Sequence, residues 1–165
     1  MPGYVIHIAT AKEYLRKHKN IEDEEEFIKG TIFPDCTTNK STTHYGKSSG
    51  FTNINKFLEK NQINNSFNKG YFLHLITDYL FYNYYLDKFS KDIYNDYDII
   101  NKRLMKKYDI NLPFEVRDKV FFKEGKTKIL SYELACKVID EISNYNLETI
   151  AKESKEEKWN TYKNI

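Results

Sequence analysis

Two cysteines stand in 165 residues, Cys36 and Cys136, a hundred positions apart and in no C-x-x-C arrangement. A zinc ribbon, a dithiol redox motif and a disulfide-stapled scaffold are therefore excluded, and a reducing compartment is implied. No charge of one sign dominates: 26 basic residues stand against 24 acidic ones, a net charge of +2. Without a basic field, nucleic acid is not indicated as a partner. The start, MPGYVIHIATAKEYLRKHK, has no basic run followed by a long apolar stretch, so it does not read as a secretory signal. No apolar run reaches transmembrane length, because His74, Asp78, Asn83 and Asp87 interrupt the most apolar one. These absences together predict a cytoplasmic protein with no transmembrane segment. Strand-like alternation, internal repeats and interdomain linkers are missing as well, so residues 1–165 are expected to form a single domain.

What is present is aromatic and helical. The chain carries 14 Tyr and 11 Phe. Gly70 to Leu86, GYFLHLITDYLFYNYYL, is apolar all round, as a buried central helix is. That helix is expected to be capped by Ser66 and to run to about residues 88–89. Other helices are expected over 4–19, over 22–30 with Gly30 as the stop signal, over 52–60 capped by Thr52 or Asn53, and over 92–108. A short helix after Pro113, one over 131–142 capped by Ser131, and a terminal one over 146–159 complete the set. Residues 31–50, rich in Ser, Thr, Gly and Asn, read as a long and therefore functional loop. The fold class is all-α, a multi-helix bundle around the central helix at about 70–88.

His74 and Asp78 lie four apart in that helix and so share a face, about 6 Å apart along the axis. A buried carboxylate has to be paired or to hold a cation. The residues able to meet the pair are His7 on the first helix and Asp35 and His44 in the 31–50 segment. Imidazoles and carboxylates are the usual ligands of zinc and related divalent metals, and His7, Asp35, His44, His74 and Asp78 are the candidate ligands. Taken singly, each has a plainer reading. His74 with Asp78 makes a hydrogen-bonded core pair, Asp35 a turn residue, His44 a loop residue and His7 a half-buried side chain. His18 is expected to be solvated, Cys36 to be a small buried residue, and Asp96 and Asp98 to lie on a solvated helix face. The basic stretch KRLMKK at 102–107 reads as a helix face.

The order of these residues carries a resemblance. MPGYVIH at the start, AKEYL just behind it, FPD at 33–35, THYG at 43–46 and GYFLHLITD at 70–78 resemble the zinc-dependent phospholipase C family, in particular its intracellular branch. The matching region covers residues 1 to about 86. The resemblance implies a phospholipase C/nuclease-like helical bundle with Asp35, His44, His74 and Asp78 on one metal. Asp78 would bridge to a second metal that His7 also ligates. No histidine follows His74, where the full three-metal enzymes carry a further His and a His-x-x-x-Glu, so one or two zinc ions, or other divalent metals, are expected. The implied activity is phosphoester hydrolysis with metal-bound water as nucleophile and Asp35 as the catalytic proton acceptor. The substrate would be a small phosphorylated compound or a phospholipid-like headgroup, with Lys47, Arg117, Lys126 or Lys128 as charge partners. The alternative is a non-catalytic helical binding module that keeps one structural or regulatory metal. An HD-type phosphohydrolase needs an adjacent His-Asp pair, which this chain does not have. A helical interaction protein without metal would leave Asp78 in an apolar helix unexplained.

Overall fold

The computed structural model describes residues 3–154, and among these every regular element is helical. Eight α-helices follow in order: α1 Gly3–Lys17, α2 Glu24–Ile32, α3 Lys40–His44, α4 Ile54–Lys60, α5 Ser66–Leu80, α6 Asp92–Lys107, α7 Tyr132–Ile142 and α8 Leu147–Glu153. Short 3₁₀ turns occupy Phe33–Asp35, Ser49–Phe51 and Phe114–Val116, and a π-helical turn over Phe81–Tyr85 ends α5. No described helix is long and apolar enough to cross a membrane.

The apolar run at 70–86 is central, as its composition requires. Every residue from Gly70 to Leu80 is buried. α5 packs chiefly on α2, and also on α1, α4 and α8, while α1 packs on α6 and α7. Its cap is Asn65, whose side chain accepts from the Asn68 N–H, one residue before the expected Ser66. Asn53 caps α4 and Ser131 caps α7 in the same way. The terminal helix is described only to Glu153, and the rest of the expected 146–159 span lies outside the described residues.

Five expectations are corrected. Gly30 does not stop α2; it sits inside the helix, against α5. A Cβ on Gly30 would lie 2.0 Å from the Phe67 carbonyl oxygen, and one on Gly70 would lie 2.0 Å from the Phe27 carbonyl oxygen. The two glycines allow two helix backbones to touch. The 31–50 segment is not one structureless loop. Thr31 and Ile32 finish α2, and α3 is capped by Asn39, whose side chain accepts from the Thr42 N–H. Asp96 is not on a solvated face. Its carboxylate is fully buried and accepts backbone N–H bonds from Lys128, Ile129 and Leu130 at 2.7–2.9 Å, tying the segment before α7 to α6. His18 is half-buried rather than solvated: its ring stacks on Tyr14 and its Nε2 bonds the Ser143 carbonyl at 2.9 Å. Cys36 is half-buried rather than fully buried.

Candidate metal centre

Five residues distant in the chain converge in two overlapping groups, His7–Asp35–His74 and His44–His74–Asp78. α1 brings His7, the 3₁₀ turn after α2 brings Asp35, the last position of α3 brings His44, and α5 brings His74 and Asp78. All five are between 0 and 4% exposed, so no bulk water solvates their polar atoms.

The two carboxylates face both sides of the cluster. Asp78 presents Oδ1 to His7 Nε2 at 3.0 Å and Oδ2 to His44 Nε2 at 2.9 Å and His74 Nε2 at 3.2 Å. Asp35 does the same at longer range. Its Oδ2 lies 3.9 Å from His7 Nε2, and its Oδ1 lies 3.5 Å from His44 Nε2 and 3.7 Å from His74 Nε2. The imidazoles pack on one another, with His7 and His74 stacked at 3.7 Å between ring centres and His44 edge-on to His74 at 5.2 Å.

The outer nitrogens decide what the inner ones can do. His44 Nδ1 lies 2.8 Å from the Lys40 carbonyl oxygen, and His74 Nδ1 lies 2.7 Å from the Thr31 carbonyl oxygen. A carbonyl only accepts, so both Nδ1 atoms carry hydrogen and, in the neutral ring, both Nε2 atoms are bare lone pairs. Those two lone pairs face each other at 3.2 Å, alongside the Asp78 carboxylate. Both Asp35 oxygens and Asp78 Oδ2 are buried without a hydrogen bond. Only positive charge makes this arrangement favourable, either as protons on the imidazoles or as a cation held between them.

The donor set fits a divalent cation. Metal–ligand bonds of about 2.0–2.1 Å at tetrahedral angles place donors about 3.3 Å apart. Among His44 Nε2, His74 Nε2 and Asp78 Oδ2 the distances run from 2.9 to 3.2 Å, and Asp35 Oδ1 lies 3.5 and 3.7 Å from the two nitrogens. The carbonyls on Nδ1 are the orienting partners that metal-bound histidines characteristically have. His7 stands across Asp78 from this group, on the other carboxylate oxygen, and forms a second possible ligand group with Asp35 and His74.

Charge states follow the same geometry. Burial and the neighbouring His74 push His7 down to about 4, against the pull of Asp78 and Asp35, so its ring is neutral near pH 7. Burial alone would lower His74, but the Asp78 and Asp35 carboxylates outweigh it and hold it above its ordinary value. Burial alone would raise Asp78, but His74 and His7 keep it well below the usual carboxylate range.

The segment holding Asp35 and His44 is pinned from several sides. Tyr4 donates to the Asp35 carbonyl at 2.6 Å, Thr43 Oγ1 to the Pro34 carbonyl at 2.8 Å, and Tyr71 to the Thr43 carbonyl at 2.5 Å. The cation beside the cluster is Lys40, with Nζ 3.8 Å from Asp35 Oδ1 and a side chain 34% exposed. The four cations suggested by the sequence lie elsewhere. Lys47 lies over the Phe51 ring, Arg117 donates to the Leu112 carbonyl, Lys128 pairs with Asp92, and Lys126 lines a cavity beside α6. Lys40 sits four residues before His44, one turn of α3. Reading Asn39 as a helix cap would have drawn attention to it. The Thr31 carbonyl left no trace in the sequence, because backbone acceptors carry no residue signature.

No protein-family model, no curated protein and no solved structure matches this chain.

Proposed function

We propose that this chain is a metal-dependent hydrolase of phosphoesters, built on a helical bundle similar to that of the zinc-dependent phospholipase C family. The observation that carries the reading is the convergence of three imidazoles and two carboxylates, with His44 and His74 held so that their free lone pairs point inward. A divalent metal such as zinc, bound there, would supply Lewis acidity, making water a stronger acid and offsetting the charge of a phosphoryl group. His44, His74, Asp78 and Asp35 would hold one ion, with His7 and the second oxygen of Asp78 available to another. With Oδ1 on the ion, Asp35 Oδ2, which accepts no hydrogen bond, would be the oxygen able to take a proton from water. Lys40, reaching from solvent to Asp35, draws the phosphoryl charge to the cluster.

The five residues are closed off from bulk water, and that observation favours a second reading, in which the metal is structural or regulatory and the chain is a binding module. Hydrolysis separates the two. Zinc- or manganese-loaded protein is expected to cleave bis(p-nitrophenyl) phosphate or p-nitrophenyl phosphate above the metal-only background. Asp35→Asn is expected to lower that rate about 100-fold or more. Fully loaded protein that cleaves neither ester would support the binding module.

A further inference from the structure

Residues 119–127 leave α6 and return to it as an exposed turn, KVFFKEGKT. Val120 is buried, but two phenylalanines point outward although the backbone is fixed. Phe121 is 60% exposed and Phe122 53%. The Phe121 carbonyl accepts from Asn101 Nδ2 at 3.0 Å, the Lys123 N–H donates to the Asp98 carbonyl at 3.0 Å, and the Asp96 carboxylate holds the backbone at 128–130. Three residues of α6 thus hold this turn and the segment after it, with two phenylalanines displayed.

Positive charge surrounds Phe122, and Lys119 lies beside Phe121. A cavity of about 870 Å³ between α6 and the turn is lined by Lys102, Arg103 and Lys106 on the helix and by Lys123 and Lys126 opposite. Its two carboxylates are Glu124 and Glu133. Arg103 stacks on Tyr132 and Lys123 lies 3.6 Å from Asp98, while Lys102, Lys106 and Lys126 form no ion pair among the described residues. Met105, Lys102 and Phe122 line an adjoining apolar cavity. Apolar side chains and free ammonium groups therefore share one face.

We propose that this face docks on an anionic lipid bilayer. Phe121 and Phe122 would enter the headgroup region while the lysines meet lipid phosphates and carboxylates. A dissolved polyanion would engage the lysines but would leave the rigidly displayed phenylalanine pair without a role. The face also abuts the metal centre's wall. Phe121 lines a cavity of about 240 Å³ together with Tyr4, whose hydroxyl donates to the Asp35 carbonyl. The proposal is independent of what the buried cluster catalyses.

Co-sedimentation with vesicles tests it, using phosphatidylcholine alone and phosphatidylcholine with phosphatidylserine, at low and high salt. The full chain is expected to pellet with the anionic vesicles only, and to be released by salt. Lys102→Ala/Lys106→Ala/Lys126→Ala should bind about 100-fold more weakly. Phe121→Ala/Phe122→Ala should bind at least about tenfold more weakly. All five side chains are exposed, so unchanged circular dichroism spectra are expected for both variants. Absence of pelleting with anionic vesicles at low salt would overturn the proposal. So would full binding by the phenylalanine variant alongside loss by the lysine variant, which would mark a site for dissolved polyanions.

Discussion

Asp78→Ala is expected to abolish the response of the protein's melting temperature to chelator. A metal present at about 100 times its dissociation constant stabilises the state that binds it by about 2.7 kcal/mol. In a domain of this size each kcal/mol moves the melting temperature by about 2–4 °C, so adding chelator to the parent should lower it by about 5–10 °C. Asp78 carries this effect because it lies closest to all three imidazoles, His7 through Oδ1 at 3.0 Å and His44 and His74 through Oδ2 at 2.9 and 3.2 Å. Removing it also strips His74 of the nearer of its two carboxylates, and breaking a buried pair this way costs about 3–5 kcal/mol. The alanine variant should therefore melt lower than the chelated parent. Asp78→Asn keeps the shape while removing the charge, and it provides the comparison if the alanine variant fails to fold. Equal chelator shifts in the parent and Asp78→Asn would contradict the assignment of Asp78 as a ligand.

Gly30→Ala is expected to be the most destabilising change outside the cluster. The new Cβ would meet the Phe67 carbonyl oxygen at 2.0 Å, and the obstacle is backbone of α5, which cannot turn aside as a side chain can. The helices must separate by more than 1 Å to restore van der Waals contact, at a cost of about 3 kcal/mol or more. Thermal unfolding should show a fall of about 6–12 °C. The damage reaches the candidate metal centre, because Thr31, next to Gly30, accepts at its carbonyl from His74 Nδ1 at 2.7 Å. Loss of such an orienting contact lowers metal affinity about 10–100-fold. Gly70→Ala meets the reciprocal obstacle at the Phe27 carbonyl. Once the helices have parted for one alanine the second meets less resistance, so the double variant should lose less than the sum of the single losses. An unchanged melting temperature in Gly30→Ala would mean that α2 and α5 do not cross this closely.

The metal-ligand candidates were legible because their chemistry is out of place: a histidine and an aspartate one turn apart inside an otherwise apolar helix need partners. The structure brings His7, Asp35 and His44 to them. The central helix was legible for the same kind of reason, since a segment apolar on every side has to be surrounded. Gly30 was not. A glycine at the end of a periodic stretch reads as a helix stop, and only the packing of a second helix shows that its missing side chain is what matters. The 31–50 segment was misread because Ser, Thr and Asn favour caps and short turns as much as open loops, and composition does not separate them. Asp96 was misread because helical periodicity says which residues share a face but not which later segment covers that face. The backbone at 128–130 covers it, and this also fixes the 119–127 turn.

Metal content measured by elemental mass spectrometry, on untagged protein purified without chelator and beside Asp78→Asn, bears most directly on the cluster at His7, Asp35, His44, His74 and Asp78. About one or two equivalents of zinc, manganese or iron in the parent, with clear loss in the variant, is the expected result. A folded parent that carries no metal and takes up none when zinc is added would contradict it. The cluster would then be a buried set of imidazoles packed against two carboxylates.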